Sequence, residues 1–287
     1  MSGPDRLIVC ASHSPGMMRD VEHVYGTEFR DGLARVRSLV EEFAPDVVVL
    51  FGGDHRRAFR KVVPSFAVAL SAAIMAEAGR SAGALRVPPE PARGLADHLL
   101  DAGFDITVCR DIELDHAFAQ PLHDLTEGLA AYPVIPVPIN CATAPLPTPG
   151  RVLEFGAAVG SFLDGLSERV LVIGTGGLSH SPPSLEVDTH DMSDEERARI
   201  IAAGYAAAEK KIRPEWDRAF LDALTTWDAT RLAELAAVAT EQAGVGANEV
   251  RTWMAAGAAG AGKPFECVCY EPVEKWITGM GLAISRG

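Results

Sequence analysis

The run Arg169-Val170-Leu171-Val172-Ile173 leaves this chain little freedom in how it can fold. Its uniformly apolar, β-branched character predicts a strand covered on both faces, the kind found in parallel sheets packed between helices. The run breaks into Gly174-Thr175-Gly176-Gly177, then delivers Leu178-Ser179-His180 ahead of Ser181-Pro182-Pro183. Glycine permits a tight path and the close approach of another group. A histidine placed this way stands beyond the carboxyl end of a strand, where open α/β sheets bind ligands. Alone it reads as a surface histidine after a turn, but the pattern recurs.

Arg6 to Ser12 reads as a first buried strand and ends at His13. Phe29, Leu33, Val36, Val40 and Phe43 form one stripe at helical spacing, and Pro45 stops that helix. Asp46 to Phe51 is the next strand and runs into Gly52-Gly53-Asp54-His55. Strand, helix, strand implies parallel pairing through a crossover. Val62 to Leu70 reads as a strand, Pro91 to Ala102 as a helix stopped by Gly103, and Phe104 to Leu114 as one strand reaching Asp115-His116. A short helix over Pro121 to Ala131 precedes a proline-rich strand over Val134 to Ile139. Helix is expected from Arg151 to Leu166, and a polar, acidic loop or lid from Ser184 to Glu196. Helices follow at 195–211, 217–225 and 229–240, the last with Asp228 as N-cap. Asn248 is expected to cap a further helix that carries Glu249, and Cys267 to Tyr270 to be the last strand. The chain therefore reads as α/β: a central, mostly parallel or mixed sheet flanked by helices, with a metal site at the carboxyl ends of the strands. Residues 1–287 are expected to form a single catalytic domain whose C-terminal part, about 195–260, is helical.

Composition narrows the partners. A net charge of −13 argues against nucleic acid and anionic membranes, which repel acidic surfaces. No apolar run is long enough to cross a bilayer, and Met1 to Arg6 lacks the layout of a signal peptide, so a cytoplasmic protein is expected. The five cysteines, Cys10, Cys109, Cys141, Cys267 and Cys269, have neither zinc-knuckle nor redox spacing and are expected to be reduced, mostly in strands.

His13, His55, His116 and His180 each follow a predicted strand; parallel strands would bring all four imidazoles to one crevice. His23, His98, His123 and His190 fall on predicted helices or loops and read as solvated or incidentally packed. Imidazole is the commonest metal ligand and titrates near neutral pH. Two histidines plus one carboxylate with open positions suit non-heme Fe(II), which leaves two histidines for acid–base work. The candidate carboxylates are Asp54, Asp115 and Glu249; the first two adjoin histidines and could orient those rings instead. Glu249 also reads simply as an acid favoured by a helix dipole. A zinc hydrolase would use similar ligands but needs only one base and a water. A non-enzymatic protein with a relic metal site would have kept fewer of these histidines. Two other signals fail. Gly174-x-Gly176 lacks the third glycine of a dinucleotide fingerprint, and Gly177-Leu178-Ser179-His180-Ser181 ends in Ser where a nucleophile elbow has Gly.

Ser12-His13-Ser14-Pro15, Asp54-His55, Asp115-His116-Ala117-Phe118-Ala119-Gln120-Pro121-Leu122 and Gly176 to Pro183, with Asn248-Glu249-Val250-Arg251-Thr252-Trp253, together resemble the class III extradiol ring-cleaving dioxygenases. The likeness runs over nearly the whole chain, to Pro272 and Trp276. It implies that His13, His55 and Glu249 hold Fe(II), that His180 is the base that helps deprotonate a catechol, and that His116 is the acid of the later rearrangement, with Asp115 as its neighbour. The implied reaction is O2-dependent opening of a 3-substituted catechol such as 2,3-dihydroxyphenylpropionate to a hydroxy-keto-dienoic acid, in a homo-oligomer. The chain departs from the family in two places. Arg56-Arg57-Ala58-Phe59-Arg60 is unusually basic, and the segment after Pro183 is shorter. Arg56 or Arg57 is therefore a candidate to bind a substrate carboxylate, against the plain reading of solvated arginines in an acidic protein.

Overall fold

A computed structural model describes residues 5–77, 81–189 and 191–286. β1 (Arg6–Ala11) leads through a single turn, α1 (Pro15–Arg19), and α2 (Thr27–Phe43) to β2 (Val47–Gly53). Then come β3 (Ala67–Ala69), β4 (Ala72–Ile74), β5 (Gly83–Ala84), α3 (Pro89–Asp101), β6 (Thr107–Cys109), β7 (Ile112–Leu114) and α4 (His116–Leu125). β8 (Val134–Ile139), α5 (Pro149–Leu163) and β9 (Val170–Thr175) follow. The helical stretch is α6 (Pro183–Glu186), α7 (Asp194–Ala208), α8 (Pro214–Thr225), α9 (Ala229–Ala237), α10 (Ala239–Ala243) and α11 (Val250–Ala259). β10 (Glu266–Val273) and β11 (Thr278–Arg286) close the chain.

The main sheet has the order β10-β11-β1-β9-β2-β8. β1, β9, β2 and β8 are parallel, whereas β11 runs antiparallel to β1 and to β10. The sheet is thus mixed and covered on both faces, as the apolar runs require. Alternate strand residues feed two cores. Ile8, Val49 and Val172 pack with Phe155 of α5, Phe220 of α8 and Trp253 of α11. Leu7, Leu50 and Leu171 pack with Phe29, Leu33, Val36 and Val40 of α2 and Phe118 of α4. β8 lies at the sheet edge, where the missing N–H groups of Pro136 and Pro138 cost little.

Several expectations need correction. β2 continues through both glycines to Gly53, because the ring of Phe118 packs where a side chain on Gly52 would sit. The expected strand over Phe104 to Leu114 is two short strands, and neither joins the main sheet. β6 pairs with β3; β7 joins β4 and β5. The expected lid holds α6, and a capping box between Ser193 and Glu196 starts α7. Asp228 does cap α9, accepting from Arg231 N. Asn248 caps nothing: its side chain bonds Thr240, Val245 O and Arg251, inside a 3-10 turn over Val245–Glu249. The sequence reading missed β11, since the glycines of Thr278-Gly279-Met280-Gly281 dilute its pattern.

All five cysteines are free; four are buried and Cys267 is exposed. Among the described residues, no helix is long and apolar enough to cross a membrane.

Candidate active site

β1, β9 and β2 are sheet neighbours, and their carboxyl ends present His13, His180 and His55. His116 comes from elsewhere. It is the first residue of α4 and enters on β7 of the small three-stranded sheet. All four are buried and line one cavity. His23 is exposed, His98 lies on α3 against Phe162, His123 lies on α4, and His190 falls outside the described residues.

Glu249 reaches this cluster from the opposite end of the chain. α11 lies against β9, with Thr252 Oγ1 donating to Thr175 O and Trp253 Nε1 to Gly176 O. The approach is so close that a side chain at Gly176 would sit 2.3 Å from Glu249 Cβ. Gly176 therefore makes room for the carboxylate rather than for a nucleotide. Glu249 Oε2 accepts from Gly177 N at 2.7 Å, and Oε1 lies 2.7 Å from His55 Nε2 and 3.8 Å from His13 Nε2.

Each ring is fixed through its other nitrogen. His13 Nδ1 meets Thr175 Oγ1 at 2.8 Å. His55 Nδ1 donates to Asp115 Oδ2 at 2.9 Å, and His55 N donates to the same oxygen. His180 Nδ1 donates to Leu178 O at 2.8 Å, which leaves Nε2 as an acceptor. His116 Nδ1 donates to Glu77 Oε2 at 2.8 Å. The partner of His116 is thus Glu77, which the sequence reading did not single out. Asp115 instead caps α4 through Ala117 N and holds His55. Asp54 spends its oxygens on the N–H groups of Arg57, Ala58 and Phe59 and shapes the loop after His55.

The electrostatics call for a cation. Burial lowers the His13 pKa to about 3, so the ring is neutral, and its Nε2 is buried with no partner among the described residues. Burial works against a charged His55 as well, but Asp115 and Glu249 outweigh it and raise its pKa well above the histidine range. Burial would raise Glu249; the surrounding imidazoles, His13 foremost, bring it down to about 2. An orphan lone pair, a second imidazole and an ionised carboxylate converge where positive charge is wanted, and this donor set fits a metal ion.

His13, His55 and His116 also bring one nitrogen each within 4.8 Å of one another. His55 and His116, however, stack face to face, with centroids 4.3 Å apart and planes 13° from parallel. A ligating imidazole holds the metal in its own plane. Two stacked planes share no such point, so these two rings cannot serve one ion together.

Neither Arg56 nor Arg57 lines the cavity. Arg56 donates to Val187 O, Ala142 O and Thr143 Oγ1, and Arg57 pairs with Asp194 at 2.5 Å. The basic segment is a brace between loops. The cations that do line the cavity are Arg19 and Arg197.

The carboxyl edge of this mixed sheet thus carries a buried, histidine-rich pocket with the donors of a metalloenzyme. The chain belongs to the family described as the catalytic LigB subunit of aromatic ring-opening dioxygenase, whose model matches residues 7–281. Among its relatives, an Azotobacter vinelandii protein is 37% identical over 303 residues, covering 95% of this chain and 96% of its own length. One from Klebsiella pneumoniae is 35% identical (96% and 97% covered), and one from Pseudomonas putida 37% (86% and 87%). All three carry the name 2,3-dihydroxyphenylpropionate/2,3-dihydroxicinnamic acid 1,2-dioxygenase, the last as a second such enzyme. The resemblance to extradiol enzymes holds, and membership of an oxygenase family displaces the zinc-hydrolase and binding-protein alternatives. The matched length of 303 exceeds the 287 residues here, so the relative carries residues that this chain lacks.

Proposed function

We propose that the protein uses Fe(II) and O2 to open the ring of a 3-substituted catechol, 2,3-dihydroxyphenylpropionate or a close relative, beside the diol. His13, His55 and Glu249 would hold the metal. The observation that carries this is the convergence of His13 Nε2 and His55 Nε2 on one oxygen of Glu249, at 3.8 and 2.7 Å. The stacked geometry of His116 against His55 favours Glu249 over His116 as the third ligand. When bound, a ferrous ion supplies the Lewis-acid and redox chemistry that joins a catechol to dioxygen.

The chain's own groups handle protons. His180 presents an unprotonated Nε2 to the cavity, and burial lowers its pKa, so it takes a hydroxyl proton from the incoming catechol. His116, its Nδ1 held by Glu77, returns a proton from Nε2 as the ring opens. Asp115 holds the proton on His55 Nδ1, so that Nε2, which faces Glu249 here, would be the nitrogen turned to a bound metal. Separate imidazoles for the two transfers let one site do both at one pH. The chain acts as one catalytic domain, since both cores draw on its N-terminal and C-terminal parts. It would act as a homo-oligomer in the cytoplasm.

The test is anaerobic reconstitution of metal-free protein with Fe(II), then addition of 2,3-dihydroxyphenylpropionate and O2. A yellow ring-fission product with stoichiometric O2 uptake is expected, and none with Zn(II). Absence of product from a panel of 3-substituted catechols would sink the reading.

A further inference from the structure

We propose that Arg197 is the anchor for a carboxylate on the substrate's ring substituent, so that the site selects catechols carrying a short carboxyalkyl or carboxyalkenyl group next to the diol. This rests on the ring-opening reading above and adds the residue that sets substrate choice. Arg197, Ile201 and Tyr205 stand four residues apart on α7 and form one continuous strip of the cavity wall. Arg197 is at the inner end, only 8% exposed. Its guanidinium donates to Thr189 Oγ1 at 2.9 Å and to His55 O at 3.1 Å, so it sits beside a residue of the metal pocket. Both acceptors are neutral. Among the described residues no carboxylate lies within ion-pair distance of it, although Glu77, Asp115 and Asp194 act on it from further off.

A guanidinium carries five N–H donors in a planar fork suited to carboxylates, and two bonds leave donors to spare. A buried charge without a direct ion-pair partner is costly, and one that also lines a cavity with donors to spare suits an anion that arrives from outside. The other arginines make the contrast. Arg57 pairs with Asp194, Arg56 is spent mainly on carbonyls, and Arg19, on α1, is exposed. Ile201 gives the methylenes of a short tail an apolar surface beside the Arg197 head group.

The experiment compares kcat/KM for 2,3-dihydroxyphenylpropionate and for 3-propylcatechol, which has the same chain without the charge. It uses the Fe(II)-loaded wild type, Arg197→Gln, Arg197→Lys and Arg19→Ala. The wild type is expected to prefer the carboxylate substrate. Arg197→Gln should cut that preference about 10- to 100-fold, mainly through KM, and Arg197→Lys should restore part of it. Calorimetric titration of metal-free protein with 3-phenylpropionate, which lacks the diol, should show binding to the wild type and loss in Arg197→Gln. An unchanged preference overturns the proposal. So does an equal fall for both substrates, which would make Arg197 a prop for His55, or a preference lost in Arg19→Ala alone. If the wild type opens neither catechol, the ring-opening reading fails, while the 3-phenylpropionate titration still decides whether Arg197 holds a carboxylate.

Discussion

Asp115 Oδ2 accepts from both N and Nδ1 of His55, sixty residues away in sequence, at 2.9 Å each. The carboxylate thus serves a ring remote from it in the chain rather than the adjacent His116. Asp115→Asn weakens that acceptor while keeping the shape. We expect metal affinity to fall about 10- to 100-fold, measured by chelator competition, with a far smaller change in kcat at saturating metal. A variant that keeps its metal affinity but loses kcat would return Asp115 to His116.

Glu249→Ala removes the only carboxylate among the described residues that meets both His13 and His55. Metal content by elemental analysis should drop to near zero, and ring opening with it. Treating the wild type with a chelator should abolish activity reversibly; in the variant, added Fe(II) should restore none.

His116→Ala and His180→Ala should each keep the metal and lose about 10²- to 10⁴-fold in turnover, the usual worth of a positioned acid or base. Glu77→Gln should give a milder loss in the same direction, because only the hold on His116 Nδ1 is weakened. Full turnover in His116→Ala would end its assignment as the acid.

Gly176→Ala places a methyl 2.3 Å from Glu249 Cβ. We expect about 1–3 kcal/mol lower stability in chemical denaturation and a measurable loss of metal affinity. Gly150→Ala is the control, since nothing lies within 4 Å of the added carbon. Equal behaviour of the two variants would show that α11 can retreat without consequence.

Asp217 supplies a pH-dependent term away from the metal. Burial raises its pKa to about 6, against three donors, Ser179 N, Ser179 Oγ and Tyr270 OH, that pull it down. Unfolded, an aspartate titrates near ~3.9. Between these values the folded state binds the extra proton, so raising the pH from about 4 to about 6 lowers stability. Relative to Asp217→Asn, the wild type should lose at most about 3 kcal/mol over that window and nothing further above it. Denaturation midpoints from pH 4 to 8 measure this; a constant difference would show that Asp217 is ionised throughout.

Strong local patterns were legible in the sequence. β1, β2, β8, β9 and α2 carry continuous apolar runs or a clean stripe, and three of the four site histidines follow β1, β2 and β9. Sheet membership was not legible: His116 follows an apolar stretch like the others, yet β7 is too short and too exposed at Glu113 to enter the main sheet. Glu77 and Arg197 were missed because their role depends on what faces them across the cavity. Arg56 and Arg57 drew attention through charge density alone, which gives no direction in space. Asp54 looked like a site residue and Asn248 like a helix cap, but each satisfies neighbouring backbone instead. The three glycines after Ile173 were visible as a signal, and tertiary packing explains them: Gly174 meets Thr252 and Ala256 of α11, Gly176 meets Glu249, and Gly177 meets Thr278 and His180.

The pocket joins a histidine thirteen residues from the start of the chain to a glutamate at position 249. On the proposed ligand set, a fragment that stops short of Glu249 would keep both imidazoles and still lack the carboxylate that completes the grip on an ion.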